Sequence, residues 1–489
     1  MILSLLAACA GGPADTAPLD TAPLDTADDT AAPLDWAADG TWALLEGAPV
    51  DGLGNELAVE DLDGDGQADL LVAAYLGNRV CRVLGPLAAG RAAVDTVGTC
   101  LTTDLDADYA GYGAAPVGDL DGDGVVDVAV GAIGDADAGA NAGKVYLLPG
   151  TWGAGTLGAL ATSTLVGETA GDYAGLAVSA AGDLTGDGLP DLLVGASGYD
   201  GGEDGGGAGG GRAYVVAGPV APGESRLADA WASLTGLGGV VATAAPPHGA
   251  FGVGDFVGDA LAGPADYDGD GFTDLALGAS GDATLGPSTG KAVVWFGPLA
   301  AGAGSVADAD VLLTGPEAGA YARSPLRALP DLDGDGRAEL LVAGDGYGAG
   351  VVWVLSPTAP GTSALADAPI RVEGQADGDL FGAAVSALVD LDGDALPDLV
   401  VGAPGGGDPA LEPGMAWVLL GALVPGVHTL ADGGASAVPS SGVGFGDDFG
   451  RAVALGDLDG DGAPDQVVGA PISDVGGGFS GGVWVRTAR

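Results

Sequence analysis

Residues 61–75 read DLDGDGQADLLVAAY. Aspartates stand at positions 1, 3, 5 and 9 of this stretch, glycines at 4 and 6, and small apolar residues follow at once. Close copies recur along the chain: DLDGDGVVD from Asp119, DLTGDGLPD from Asp183, DYDGDGFTD from Asp266, DLDGDGRAE from Asp331, DLDGDALPD from Asp390 and DLDGDGAPD from Asp457. Successive starts lie 58, 64, 83, 65, 59 and 67 residues apart. A unit of that size recurring through a chain is one supersecondary element stacked repeatedly, not a set of independent domains.

Each unit has the same order. An aromatic-Gly pair or its equivalent opens a short apolar strand, as in DDFGRAVALGD before Asp457 and DLFGAAVSALVD before Asp390. The acidic loop comes next, then a second strand such as DLLVGAS, DLALGAS or DLVVGAP. These runs are apolar at consecutive positions, so both faces are expected to be buried. A Gly-rich loop leads to a third strand (GKVYLLPG, GRAYVVAG, GKAVVWFG, GMAWVLLG, GGVWVRTA), and a weaker fourth strand ends in a turn (STLVGE, DVLLTG, PIRVEG). Four short antiparallel strands per unit describe the blade of a β-propeller. The seventh unit has no fourth strand after GGVWV, whereas GTWALLEG at Gly40–Gly47 carries the fourth-strand pattern ahead of the first unit. Pairing these two would close the ring and remove two sheet edges. The expected fold is therefore all-β: a seven-bladed propeller of four-stranded antiparallel blades, closed by the N-terminal strand and spanning residues 39–489.

The succession of aromatic-Gly, DxDGDGxxD, apolar strand, Gly-Ala-Pro and Gly-x-hydrophobic strand resembles the FG-GAP repeats of integrin α-subunit propellers and their bacterial relatives. The resemblance runs from about Gly40 to Arg489.

The acidic loops have the chemistry of a calcium site. Ca²⁺ takes six to eight hard oxygens at flexible distances, and the all-oxygen set disfavours zinc and copper. Carboxylates at positions 1, 3, 5 and 9, with the carbonyl of position 7, form the expected ligand set. In the first copy these are Asp61, Asp63, Asp65, Gln67 and Asp69. The second has Asp119, Asp121, Asp123, Val125 and Asp127; the third has Asp183, Thr185, Asp187, Leu189 and Asp191. The fourth has Asp266, Asp268, Asp270, Phe272 and Asp274; the fifth has Asp331, Asp333, Asp335, Arg337 and Glu339. The sixth has Asp390, Asp392, Asp394, Leu396 and Asp398; the seventh has Asp457, Asp459, Asp461, Ala463 and Asp465. An EF-hand would place a bidentate Glu at position 12, where this chain has Val72 in an apolar run. A solvated acidic turn without metal is the plainer alternative, since Asp and Gly favour turns. Against it, 27 of the 28 carboxylate positions hold Asp or Glu, and such crowding is self-repelling without a cation. Thr185 weakens the third site, Glu339 is a longer ligand, and Ala395 stands where the other loops carry the turn glycine. Up to seven structural Ca²⁺ are expected, at affinities of roughly 10⁻⁴–10⁻³ M.

The formal charge is −54, with 68 Asp and Glu against 14 Lys and Arg. So acidic a chain repels nucleic acid and anionic lipid headgroups. The two histidines, His248 and His428, lie in unrelated contexts, and there is no GxSxG, HExxH, P-loop or CxxC motif. MILSLLAAC resembles the lipobox of bacterial lipoproteins, with residues 1–9 as signal peptide and Cys9 as the lipidated residue, although no Lys or Arg precedes the apolar run. A frayed apolar terminus is the alternative. Residues 10–38, with PLDTA repeated, read as a disordered tether. The expected location is extracytoplasmic, lipid-anchored at the bacterial outer membrane or cell surface, with the lipid as the only membrane contact. Cys81 and Cys100 fall in the third and fourth strands of the first blade and are read as a disulfide, with buried free thiols as the alternative.

In such a blade the acidic loops join strands one and two, so the opposite face carries the 2–3 and blade-to-blade loops. Two of these are long: Ser197–Tyr214 and Gly236–Asp255. Tyr199, His248 and Phe251 are the ligand candidates there, with tolerated Gly-rich spacers as the alternative. Phe381 and Phe449, ahead of their acidic loops, read as packing residues. Two functions remain in view. One is a surface-tethered, calcium-stabilised adhesion module recognising a protein or glycan. The other is a carbohydrate-active enzyme with a carboxylate or calcium-assisted site on the loop face.

Overall fold

The computed structural model describes residues 42–486 apart from 104–107, 201–209, 237–255, 282–288, 317–324, 408–412, 422–424, 431–435 and 442–445, and residues 347, 392, 394 and 395. Seven sheets follow one another along the chain. The first blade takes its four strands from Leu53–Glu60, Asp69–Ala74, Arg79–Val83 and Gly98–Thr102, each antiparallel to the next. The seventh has Ala452–Gly456, Asp465–Ala470 and Gly482–Arg486, and its fourth strand is Trp42–Glu46 from the other end of the chain. Trp42 pairs with Arg486 and Glu46 with Gly482. The ring is thus closed by the N-terminal strand, as the repeat pattern predicts.

Six blades carry one strand more than the four expected from sequence. In each, a short edge strand borrowed from the 3–4 connection of the next blade pairs in parallel with the fourth strand. Gly90–Ala93 lies on Trp42–Glu46, Gly155–Thr156 on Gly98–Thr102, and Gly223–Arg226 on Ser163–Val166. Gly302–Ser305 lies on Ala232–Thr235, Gly361–Ala364 on Val311–Thr314, and Gly426–Thr429 on Ile370–Glu373. These segments are short and polar, and largely exposed, so no hydrophobic alternation marks them in the sequence.

The core is divided into seven apolar clusters, each shared by two adjacent blades. Leu341, Val352 and Val354 of the fifth blade pack on Phe381, Leu399 and Trp417 of the sixth. Val400 and Val418 of the sixth pack on Phe449, Val453 and Val468 of the seventh. The second strands are buried at every residue in Asp69–Ala74, Asp127–Ala132, Asp191–Ala196 and Asp465–Ala470. They are apolar on both faces because each face meets a different neighbouring blade. Phe381 and Phe449 are buried, and the Phe449 ring sits edge-on to Trp484 at 5.5 Å.

The glycine of the aromatic-Gly pair sets the spacing between blades. Gly54, Gly111, Gly175, Gly258, Gly382 and Gly450 all have φ between +86° and +98°. A Cβ on Gly450 would lie 2.0 Å from the Met415 carbonyl oxygen of the sixth blade, and one on Gly258 would lie 2.5 Å from the Arg212 carbonyl of the third. The residue before the aromatic position is also left-handed in six blades: Gly52, Tyr109, Tyr173, Phe256, Leu380 and Asp448 have φ of 52–65°. An Asp precedes each described one of these turns. Asp172 accepts the Thr169 N–H at 2.7 Å and Asp379 that of Ala376 at 2.9 Å, which closes the crossing from one blade to the next.

Gly450→Ala meets both a left-handed backbone and a backbone neighbour that cannot move aside. It is expected to cost about 2–5 kcal/mol in denaturant unfolding. Gly153→Ala, at an exposed glycine of negative φ with open space around its Cβ position, is expected to stay within about 0.5 kcal/mol of the parent. Equal stabilities for the two variants would contradict this account of blade spacing.

Candidate metal centres

Each acidic loop is built on backbone hydrogen bonds to its own carboxylates. In the first loop, Asp61 Oδ1 accepts the N–H groups of Gly64 (2.8 Å) and Asp65 (3.1 Å), and Oδ2 accepts that of Gly66 (2.9 Å). Asp119, Asp266, Asp331 and Asp457 repeat this pattern. Three consecutive N–H groups can converge on one side chain because positions 4 and 6 are both left-handed: Gly64 has φ +77° and Gly66 φ +87°. Sequence reasoning singled out position 6 alone, although glycine stands at position 4 in all seven loops.

Position 9 has a second task. Asp69, Asp127, Asp191, Asp274, Asp398 and Asp465 are at most 1% exposed. Asp69 Oδ2 accepts the Leu62 N–H at the start of the loop, and its Oδ1 accepts Gly85 N–H at the exit of the third strand. Asp191, Asp274 and Asp398 make the same two links, to Leu184 and Gly218, Tyr267 and Gly297, and Leu391 and Gly421. This carboxylate ties the acidic loop to the blade. Glu339, one carbon longer, reaches the Leu332 N–H at 2.7 Å and accepts the Ser356 hydroxyl at 3.0 Å.

Carboxylate oxygens of positions 1, 3 and 9 come within 4.8 Å of one another in four loops: Asp61, Asp63 and Asp69; Asp119, Asp121 and Asp127; Asp266, Asp268 and Asp274; Asp457, Asp459 and Asp465. In the fifth loop Asp331, Asp333, Asp335 and Glu339 all converge. Position 5 therefore joins the group in one loop of these five. In the other four Asp65, Asp123, Asp270 and Asp461 stand apart, each accepting the N–H of position 7 through Oδ1. Position 7 is Gln67, Val125, Phe272 and Ala463 in these four loops, Asp335 of the fifth accepts the Arg337 N–H in the same way, and the side chain of Phe272 is about half exposed. In the third loop Asp183, Asp187, Leu189 and Asp191 keep the backbone geometry, but the group lacks a third carboxylate at Thr185. Thr185 Oγ1 is shut from solvent with no hydrogen-bond partner among the described residues. In the sixth, Asp390, Leu396 and Asp398 are described, whereas Asp392, Asp394 and Ala395 lie outside the described residues.

The clusters resist full ionisation. Burial pushes the Asp127 carboxyl up to about 6, aided by repulsion from Asp121 and Asp123. Asp274 rises to about 6 by burial, with Asp268 and Asp266 contributing. Burial also raises Asp69, Asp191 and Glu339. A hard cation fits such a group: it supplies the charge that the pocket lacks, and only oxygens face it.

The other predicted sites divide. Cys81 and Cys100 stand directly opposite in the third and fourth strands of the first blade, joined by a disulfide with Cα atoms 4.0 Å apart. Tyr199 is buried at the start of its loop. It is 8% exposed, with the Arg212 guanidinium 3.6 Å above its ring, and so braces the base of its loop. His248, Phe251 and Cys9, the leader, the tether and most of the two long loops lie outside the described residues.

A separate charged group lines the axis of the ring. Glu56, on the innermost strand of the first blade, feels Arg451 of the seventh and Arg327 of the fifth. Burial nevertheless raises it to about 7. Arg327 donates to the Val385 carbonyl at 2.9 Å and so ties the fifth blade to the sixth.

Four segments, residues 53–94, 174–216, 381–419 and 449–485, match the model of the FG-GAP repeat. They fall on the first, third, sixth and seventh blades and make up about a third of the chain. The protein is thus a seven-bladed β-propeller that carries FG-GAP repeats. It is similar to integrin alpha-7 of Homo sapiens, with 35% identity over 156 residues, and to integrin alpha-M of Mus musculus, with 33% over 174. These matches cover 30% and 33% of this chain, and they span 12% and 15% of the integrins' own length. A chain in the crystal structure of BBS1N in complex with ARL6DN, soaked with lead, aligns over 90% of this chain and 94% of its own, at TM-score 0.43 and 11% identity.

Two outcomes follow from these geometries. Asp465→Ala leaves the buried Leu458 N–H without its acceptor, so it is expected to cost about 1–3 kcal/mol even in chelator. Asp459→Ala, on the exposed side of the same loop, is expected to cost under about 1 kcal/mol in chelator and to act mainly through calcium. Calorimetry with and without calcium separates the two. For Glu56, the raised folded-state value means that the folded chain holds its proton more tightly than the unfolded one. The associated stabilisation is present at low pH and is lost as pH rises through about 7. Glu56→Gln is expected to flatten the stability profile between pH 5 and 8, and an unchanged slope would remove Glu56 as its source.

Proposed function

We propose that this chain is a surface-tethered binding or adhesion module, its propeller stiffened by calcium and its partner, a protein or glycan, held by the loops opposite the calcium face. The observation that carries this reading is the set of five converging carboxylate clusters, all in loops between first and second strands and therefore on one face of the ring. Calcium there is structural. Asp61, Asp63 and Asp69, and their counterparts around the ring, would hold the ion. The ion neutralises carboxylates that otherwise repel one another, and position 9 passes its rigidity to the second and third strands. The similarity to integrin alpha-subunits supports adhesion over catalysis. The Cys81–Cys100 bridge suits an oxidising compartment. The lipobox-like MILSLLAAC supports anchoring through Cys9 at the outer membrane or cell surface, with residues 10–38 as the spacer.

The test is thermal unfolding at a few millimolar calcium and in excess chelator. At an affinity of roughly 10⁻⁴ M each filled site adds about 2 kcal/mol, so several sites together are expected to raise Tm by many degrees. Identical melting in both conditions would sink the metal assignment. For the partner, the calcium-loaded chain is expected to retain a protein or glycan on an array and in surface pull-downs without turning it over. Hydrolysis or elimination of a sugar polymer would instead select the enzymatic reading.

A further inference from the structure

The six borrowed edge strands leave one fourth strand out. Ser436–Ser441 of the sixth blade pairs with Met415–Leu420 on one side, and no described residue pairs with its other edge. The reason is topological. Each edge strand comes from the 3–4 connection of the following blade, and in the seventh blade that connection is broken into the two chain ends. The residues that correspond to it precede Trp42.

Their spacing fits. In the third, fourth and fifth blades the edge strand starts nine residues before the fourth strand: Gly223 before Ala232, Gly302 before Val311 and Gly361 before Ile370. Nine residues before Trp42 is Pro33. In those three blades the edge strand is followed by Leu227-Ala-Asp, Val306-Ala-Asp and Leu365-Ala-Asp, each a single helical turn, and then by two residues. Ahead of Trp42 the same frame reads Pro33-Leu-Asp-Trp36, then Ala37-Ala-Asp39, then Gly40-Thr41. Ala37 is smaller than the buried Leu or Val it replaces. The left-handed glycine that opens the edge strands at Gly90, Gly223, Gly302, Gly361 and Gly426 turns the chain back from a third strand. Pro33 follows no third strand and needs no such turn.

We propose that Pro33–Trp36 adds to the sixth blade as its fifth strand, parallel to Ser436–Ser441, so that the N-terminal segment clasps two blades instead of one. The register follows from the fifth blade, where Trp353 is opposite Arg371 and Arg371 opposite Val427. In the sixth blade Trp417 is opposite Pro439, which places Leu34 beside Pro439 and Trp36 beside Ser441. Two features favour this occupant over a foreign strand. Trp42, six residues on, is already fixed in the neighbouring blade, so the segment competes at a high effective concentration. Pro439 withholds one backbone donor, which makes the edge a poorer template for strands not held in place. The free tether then ends at Ala32.

The test is hydrogen–deuterium exchange on the full calcium-loaded chain. In the fifth blade Arg371 and Glu373 face the edge strand, as Gly426 and Leu430 donate to Pro369 and Glu373, so in the sixth the amides that face the new pairing are those of Asp35 and Ser441. The Asp35 amide is expected to exchange at least tenfold more slowly than those of residues 12–30. Deleting 10–32 is expected to preserve the protection of Ser441, and deleting 10–36 to reduce it at least tenfold, while Val438 and Ser440, which face Met415–Leu420, stay protected. If the longer deletion prevents folding, exchange in the intact chain decides. Exchange at Asp35 as fast as in 12–30, or protection at Ser441 that survives the longer deletion, overturns the proposal. So does protection at Ser441 that rises with protein concentration, which would assign the edge to a second copy.

Discussion

Adjacent blades meet closely enough that backbone atoms, with at most an alanine or valine methyl beside them, fill the contact between the aromatic-Gly turn and the preceding blade. Gly450 lies where a Cβ would be 2.0 Å from the Met415 carbonyl, and Gly175 where one would be 2.8 Å from the Gly131 Cα. Only glycine is free of strain at φ near +90° and adds no volume. The seven inter-blade cores can be built from Val, Leu and Ala because this spacing is set first. Aromatic content of 5% and 95 glycines are the compositional trace of that choice. The partner position tolerates slightly more. Where Gly131, Gly195, Gly278, Gly402 and Gly469 stand in five blades, the first and fifth have Ala73 and Ala343, whose Cβ atoms lie 3.1 and 3.2 Å from the Cβ positions of Gly111 and Gly382.

Electrostatics imposes the second constraint. With 68 carboxylates and 14 basic side chains, the folded ring concentrates like charge. The scarce cations are placed at blade junctions. Arg79 bonds Asp51 and Asp95, Lys144 bonds Asp135 and Asp137, and Arg212 bonds Glu168, each from the first residue of a third strand. The seven acidic loops hold one basic side chain among them, Arg337, which is why divalent ions suit them. The carboxyls of Asp127 and Asp274 are raised chiefly by burial, and repulsion from the neighbouring aspartates of the loop adds to it. Acidic loop and blade are one mechanical unit because the position-9 carboxylate belongs to both.

Much of this is legible in the chain. The DxDGDGxxD spacing, the consecutive apolar runs of the second strands and the displaced fourth-strand pattern of Trp42–Glu46 specify a closed seven-bladed ring. They are local signals with a fixed period. The borrowed edge strands are not legible. A segment such as GESR or GTSA is polar and exposed, and only its pairing with another blade makes it a strand. The role of position 9 is hidden too, since Gly85 lies sixteen residues beyond Asp69 and becomes its partner only when the third strand returns. The bracing of Tyr199 is hidden as well, because nothing nearby in sequence shows Arg212 lying over its ring.

By itself the sequence determined the repeat, the blade count, the closure and the placement of oxygen donors at each acidic loop, because each is written in residues a few positions apart. Tertiary structure alone decided which carboxylates converge, how a blade lends a strand to its neighbour and how near two backbones come. Those outcomes depend on groups brought together across blades, where distance along the chain carries no information about distance in space.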